Sequence, residues 1–251
     1  MRVRTWAWVL ITLTGIAAFP AAAQEEHEAV GKLLEKQFAK GEVKYDYLLY
    51  LPPDYGKEDK AVPLVLFLHG KGDKLDRMKR FGLPRQIESK KDVPFILVAP
   101  ESPGGGWSPR SLAALLDEIE GKYKVDRDRV YVTGLSMGGF GTWTLVAAYP
   151  ERFAAAVPIC GGGSPRSAAK LKDLPIWAFH GAKDEVVPAS RTEAMVQALK
   201  DAGSDRVRFT LYPDAGHNAW SATYSNPEVW EWLLKQRRAA GASPGAGKSS
   251  P

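Results

Sequence analysis

A single cysteine, Cys160, leaves no pair from which an intramolecular disulfide could form, so the stability of the fold must come from a buried core. Cys160 ends an apolar run and is expected to be a small buried hydrophobe rather than a reactive thiol. There are only four histidines, and no group of His, Cys and carboxylate residues has metal-ligand spacing. Gly104-Gly105-Gly106-Trp107 lacks the Lys-Ser/Thr that a phosphate loop needs, so neither a metal nor a cofactor is expected. Net charge is also scarce: 34 basic residues against 29 acidic give +5, lowered by two if Arg2 and Arg4 leave with a leader segment, too little to argue for nucleic acid. No apolar run reaches the ~20 residues that span a bilayer, and no internal repeat is present.

The composition that remains, 45% hydrophobic and 25% charged over 251 residues, is that of one well-buried globular domain. Three segments are expected. In residues 1–23, Arg2 and Arg4 precede the apolar run from Trp6 to Phe19, and Pro20 with Ala21-Ala22-Ala23 follows, the pattern of a cleavable secretory signal peptide. The domain would occupy 24–238, and the Ala/Gly/Ser/Pro-rich stretch 239–251 would be a disordered tail. The product would be secreted or periplasmic, with no membrane partner after cleavage.

Along the domain, strands alternate with helices, which predicts an α/β fold with a mostly parallel, doubly wound sheet. Val30, Leu33, Leu34 and Phe38 fall at helical spacing before Gly41, predicting a short surface helix over 29–38. Residues 43–51 alternate as an antiparallel strand near the sheet edge, and 63–68 and 93–99 are unbroken apolar runs suited to central parallel strands. Ser108 and Pro109 open a helix that Gly121 would stop. Further strands are expected over 130–135, 153–160, 175–179 and 207–212. Ser190-Arg191-Thr192-Glu193 has the form of a capping box, and Asn226-Pro227 starts a last helix.

The most informative stretch is Val130-Tyr131-Val132-Thr133-Gly134-Leu135-Ser136-Met137-Gly138-Gly139, an apolar β-branched run that breaks into glycines around one serine. A turn sharp enough to lift a serine hydroxyl clear of a sheet leaves no room for side chains two residues to either side, and Gly134 and Gly138 supply that room. On these residues, and on the acid and histidine downstream, the chain from about Val43 to Arg238 resembles the α/β-hydrolases. Within them it is most similar to secreted carboxylesterases of the phospholipase/carboxylesterase, feruloyl esterase and polyhydroxybutyrate depolymerase-like group. The short 161–174 connection, where many lipases insert a lid, leaves no chain for a large lid domain.

The resemblance implies a serine ester hydrolase working through an acyl-enzyme. Ser136 would be the nucleophile. His217, alone among the histidines in following an acid-bearing loop in the order Ser, Asp, His, would be the base. Asp184 in His180-Gly181-Ala182-Lys183-Asp184 matches the family's acid position, with Glu185 and Asp214 as rivals. His69 and His180 each end a strand as His-Gly and are expected to organise loop backbone. For the oxyanion that ester attack creates, one donor would be the Met137 amide. By similarity to the His-Gly-x-Gly-Asp of small carboxylesterases the second would be the backbone of Lys71, Gly72 being the alternative. Trp107 and Trp220, in loops near the predicted site, are candidate substrate contacts. The expected partner is a small-molecule or polymer-borne ester of short-acyl, aryl or polysaccharide-linked type. The competing readings are a prolyl-oligopeptidase-like peptidase and a non-catalytic binding protein on the same scaffold.

Overall fold

The computed structural model describes residues 30–80, 82–90 and 92–238. The expected signal peptide and the expected tail lie outside the described residues. In chain order the elements are β1 (Leu33–Lys40), β2 (Val43–Tyr50), β3 (Val62–Leu68), α1 (Leu75–Arg80), α2 (Leu83–Lys90), β4 (Ile96–Pro100), α3 (Pro109–Lys122) and β5 (Val125–Leu135). They continue with α4 (Met137–Ala148), β6 (Ala155–Ile159), α5 (Ala168–Leu171), β7 (Ile176–Gly181), α6 (Ser190–Asp201), β8 (Val207–Tyr212), α7 (Trp220–Ser225) and α8 (Pro227–Lys235). The strands form one eight-stranded sheet in the order β1-β2-β4-β3-β5-β6-β7-β8. β1, β2 and β4 pair antiparallel, and β4 to β8 run parallel.

The unbroken apolar strands are explained by cover on both faces. In β3, Leu64, Leu66 and Leu68 join a core with Leu112, Leu115, Trp143 and Leu199 from α3, α4 and α6. The alternate residues Val65 and Phe67 join a second core with Leu75, Ile87, Tyr224 and Val229 from α1, α2, α7 and α8. A strand with no wet face has no position for a polar residue, which is why period-two alternation is missing there.

Two local expectations are corrected. The helix predicted over 29–38 is instead the edge strand β1, paired with β2 over eight rungs from Leu33↔Tyr50 to Lys40↔Val43. Gly41, read as a helix stop, has φ +60 and opens the two-residue hairpin loop, where the first central residue needs positive φ. The capping box at Ser190 does not form: Ala189 is the N-cap residue and no side chain caps the helix. Thr192 instead turns inward and donates to the Gly161 carbonyl at 2.6 Å. By contrast Ser108 caps α3 as expected, accepting from the Ser111 amide at 3.3 Å, although the helix runs through Gly121 to Lys122.

The chain steps from β4 across β3 to β5, so the sheet winds in both directions from its centre. The crevice outside the carboxyl ends of β3 and β5 is where a doubly wound sheet places a ligand, and Ser136 follows β5 directly.

Candidate active site

Ser136 has φ 52 and ψ −117, a backbone conformation L-residues rarely adopt. It is held there by neighbours: its amide donates to the Ile159 carbonyl at 2.9 Å, and its carbonyl accepts from the Phe140 amide at 3.0 Å. The glycines are obligatory by contact. A Cβ on Gly138 would overlap the Leu68 carbonyl oxygen at the end of β3, and one on Gly134 would overlap the Gly138 backbone. Strand and helix therefore meet closely enough to lift the Ser136 hydroxyl above the sheet.

The three side chains predicted from sequence converge. Ser136 Oγ lies 2.9 Å from His217 Nε2, and His217 Nδ1 lies 2.7 Å from Asp184 Oδ2. The other Asp184 oxygen accepts from the Val186 and Val187 amides, both at 2.9 Å. Burial opposes charge on this carboxylate, but the His217 bond and the two amides outweigh it and hold Asp184 below the usual carboxylate range. Of the rivals, Asp214 is 90% exposed and pairs with Lys183 at 2.7 Å, while Glu185 is exposed. The acid and histidine loops are tied together, since the Lys183 amide donates to Ala215 at 2.9 Å.

Met137 contributes the first amide of α4, which no helical carbonyl can pair. Its residue and Lys71 line one open cleft of about 430 Å³ with Ser136, Gly106, Trp107 and Phe140. His69 shapes the Lys71 loop. Its Nε2 accepts from the Ser102 amide at 2.9 Å, so the ring proton sits on Nδ1 and donates to Gly70 O at 2.6 Å. Burial lowers the His69 pKa and keeps the ring neutral in that tautomer. Larger depressions, of about 560, 540 and 500 Å³, lie around Pro52–Val62, around Pro150–Ala154 and around Gln37–Asp46, none of them lined by Ser136, Asp184 or His217.

The tryptophans fall differently from each other. Trp107 borders the cleft but is 9% exposed: its ring packs edge-on to His69 at 4.9 Å and against Gly141, and its indole N–H donates to His69 O at 3.3 Å. Trp220 does not line this cleft. It borders a separate depression with Phe67, Arg77 and Leu135, and sets its ring perpendicular to His217 at 5.3 Å.

Three features were missed in the sequence. Phe140, on the otherwise largely buried α4, is 36% exposed in the cleft. Cys160 is buried, as expected of it, but its positive φ, shared among the described non-glycine residues only with Ser136, and the bond from its S–H to His217 O at 3.2 Å were not foreseen. Burial pushes its thiol up to about 12, and its sulfur forms a group with Asp184 and His217 whose polar atoms all lie within 4.8 Å of one another. His180, expected to organise backbone, also lies 3.2 Å from Asp184 Oδ2. The His-Gly ending β7 was the only signal for the last of these.

Comparison with known proteins agrees with this architecture. The chain is 46% identical over 127 residues to poly(3-hydroxyalkanoate) depolymerase C of Paucimonas lemoignei, covering 38% of this chain and 31% of that protein. It is 22% identical over 191 residues to the Aspergillus niger protein named "Probable feruloyl esterase C", covering 71% and 69%. Thus it spans about a third of the first relative and about two thirds of the second. Among solved structures, a thermostable esterase superposes with a TM-score of 0.70 at 33% identity, over 84% of this chain and 64% of that one. No helix among the described residues is long and apolar enough to cross a membrane. The profile of the dienelactone hydrolase family matches residues 106–231, half of the sequence and every element from α3 through the Ser136 turn to the His217 loop, and the chain belongs to that family of α/β-hydrolases.

Proposed function

We propose that the protein is a secreted serine carboxylic ester hydrolase. The observation that carries this is the continuous hydrogen-bonded line Asp184–His217–Ser136, ending on a serine whose backbone is held at positive φ. In this reading His217 takes the Ser136 proton as the hydroxyl attacks the ester carbonyl, and returns it to the departing alcohol. Asp184 fixes the imidazole with its proton on Nδ1 and stabilises the imidazolium. The Met137 and Lys71 amides receive the oxyanion, each such donor being worth about 10²- to 10³-fold in rate. Water then repeats the sequence on the acyl-enzyme.

The open cleft suits short-acyl or aryl esters, including those carried on a polysaccharide. Relatives support this class: the feruloyl esterase above, and acetylxylan esterase A of Emericella nidulans, 34% identical over 97 residues. Trp107 and Phe140 supply its apolar walls. Trp220 is read as a brace for His217 rather than a substrate contact. Secretion rests on the leader pattern of residues 1–23.

A peptidase reading draws on a 24% identity over 220 residues to dipeptidyl-peptidase 5 of Porphyromonas gingivalis. One experiment separates all the alternatives. A fluorophosphonate probe should label wild type and not Ser136→Ala, and a panel of acetyl-sugar, feruloyl, hydroxybutyrate and aryl esters should turn over while peptide anilides do not. Absent labelling would favour a binding protein, and faster anilide cleavage a peptidase.

A further inference from the structure

His180 is fully buried at the end of β7, four residues before Asp184, and the catalytic scheme above gives it no role. Its ring partners fix where its protons are. Nε2 lies 2.8 Å from the Val187 carbonyl oxygen, which can only accept, so Nε2 carries a proton. Nδ1 lies 2.8 Å from Thr192 Oγ1. The single Thr192 hydroxyl proton is directed at Gly161 O, 2.6 Å away, so toward the ring that oxygen acts as acceptor and Nδ1 carries a proton as well. A third acceptor, Asp184 Oδ2, lies 3.2 Å from Nε2.

We propose that His180 is a positioning residue of the active site: a buried imidazole protonated on both nitrogens, anchoring the acid loop and facing the Asp184 carboxylate opposite His217. The groups around it are Asp184 and Val187 of the acid loop, Thr192 of α6 and, through Thr192, Gly161 after β6. Across Asp184, among the described residues, stand His217 and the protonated Cys160 thiol, so Asp184 is the anion of this cluster. A buried cation persists only when paired and hydrogen-bonded, and both conditions are met here. The same bonds explain the inward turn of Thr192: the hydroxyl links β6, β7 and α6 behind the site. Because Asp184 Oδ2 is shared between two imidazoles, His180 tempers how strongly the carboxylate holds a proton on His217.

The inference rests on the assignment of Asp184 and His217 to acid and base, but its first test does not involve turnover. In the ¹⁵N-labelled wild-type protein at neutral pH, both His180 ring nitrogens, assigned by comparison with His180→Gln, should resonate as protonated. One nitrogen in the unprotonated range would overturn the proposal, whatever fluorophosphonate labelling says of Ser136. The second test compares His180→Phe, which keeps the ring and removes both donors, with His180→Gln, whose amide nitrogen can still donate to Val187 O. His180→Phe should lower kcat about 10- to 100-fold, the equivalent of losing a hydrogen bond to a charged group, with KM changed little. His180→Gln should recover most of that loss. In both, the acid limb of the kcat/KM profile should move to higher pH by about one unit, because His217 no longer competes with a second cation for Asp184. A residue that merely fills space predicts the reverse: Phe the better substitute, and an unmoved acid limb.

Discussion

Replacing Ser136 by alanine removes one half-buried oxygen and leaves the glycine contacts and the bond from its amide to Ile159 in place. Ser136→Ala should therefore fold normally and retain at most the ~10³- to 10⁴-fold over water that an oxyanion hole and binding give alone. Hydrolysis of a p-nitrophenyl ester within tenfold of wild type would refute the nucleophile assignment. Asp184→Asn presents an amide where His217 Nδ1 needs an acceptor, and kcat should fall by about 10⁴, as in other Ser-His-Asp sites. Asp184 also ties stability to pH. Its folded pKa is depressed, so its contribution is complete above the ordinary carboxylate range of ~4 and is lost as pH falls through the folded value. Melting temperatures of wild type and Asp184→Asn, measured from pH 7 to pH 2, should converge toward the acid end, and a constant gap would contradict this. At the cleft wall, Phe140 is the exposed ring and Trp107 the packed one. Phe140→Ala should lower kcat/KM for methyl ferulate by about 2- to 12-fold, the equivalent of ~0.5 to 1.5 kcal/mol of stacking, and spare methyl butyrate. Equal losses on both esters would assign it to the shape of the first turn of α4 instead.

At the scale of elements, legibility followed whether a segment's own residues determined its structure. The Ser136 turn was legible because its glycines are demanded by contacts within a strand-turn-helix unit, and the same holds for Ser108-Pro109 at α3. β1 was not. Val30, Leu33, Leu34 and Phe38 fit a helical face, and only pairing with β2 over eight rungs decides for the strand, a tertiary preference that outweighs local spacing. Nor was the side-chain setting of Cys160 and His180, whose partners lie 57 residues away in one case and on a different element in the other. Helices α1 and α2, which cover one face of the sheet with Leu75, Met78, Leu83 and Ile87, had no counterpart in the sequence reading: α1 is under two turns long and α2 little more than two, so each shows only a pair of buried apolar positions at helical spacing. The contact at Gly138 yields a test of the turn itself. Gly138→Ala must push α4 off the Leu68 carbonyl, which should cost more than ~2 kcal/mol and displace the Met137 amide. An unchanged urea midpoint with full activity would show that the two backbones are not in contact.

For the molecule as a whole, the arrangement of connections sets how substrate reaches Ser136. The connection between β6 and β7, where many lipases insert a lid, is here the short 161–174 segment, holding one 3-10 turn, Pro165–Ser167, and the single-turn helix α5. Its residues are committed to packing: Ala168 and Leu171 are buried in the core beneath α6, and Gly163 lies against Trp143 and Met195. A lid needs a segment that can leave one packed position for another, and burial of this kind opposes that exchange. None of the described residues closes the cleft over Ser136, and on this geometry no contact with an oil surface is required to expose it. Activity should follow the dissolved ester. With tributyrin titrated through its solubility limit, the rate should saturate smoothly and show no rise when droplets form. A sharp increase at that limit would mean that some other segment covers Ser136 in solution, and the best place to look would be the Gly104-Gly105-Gly106 turn, whose three glycines all have positive φ at the border of the cleft.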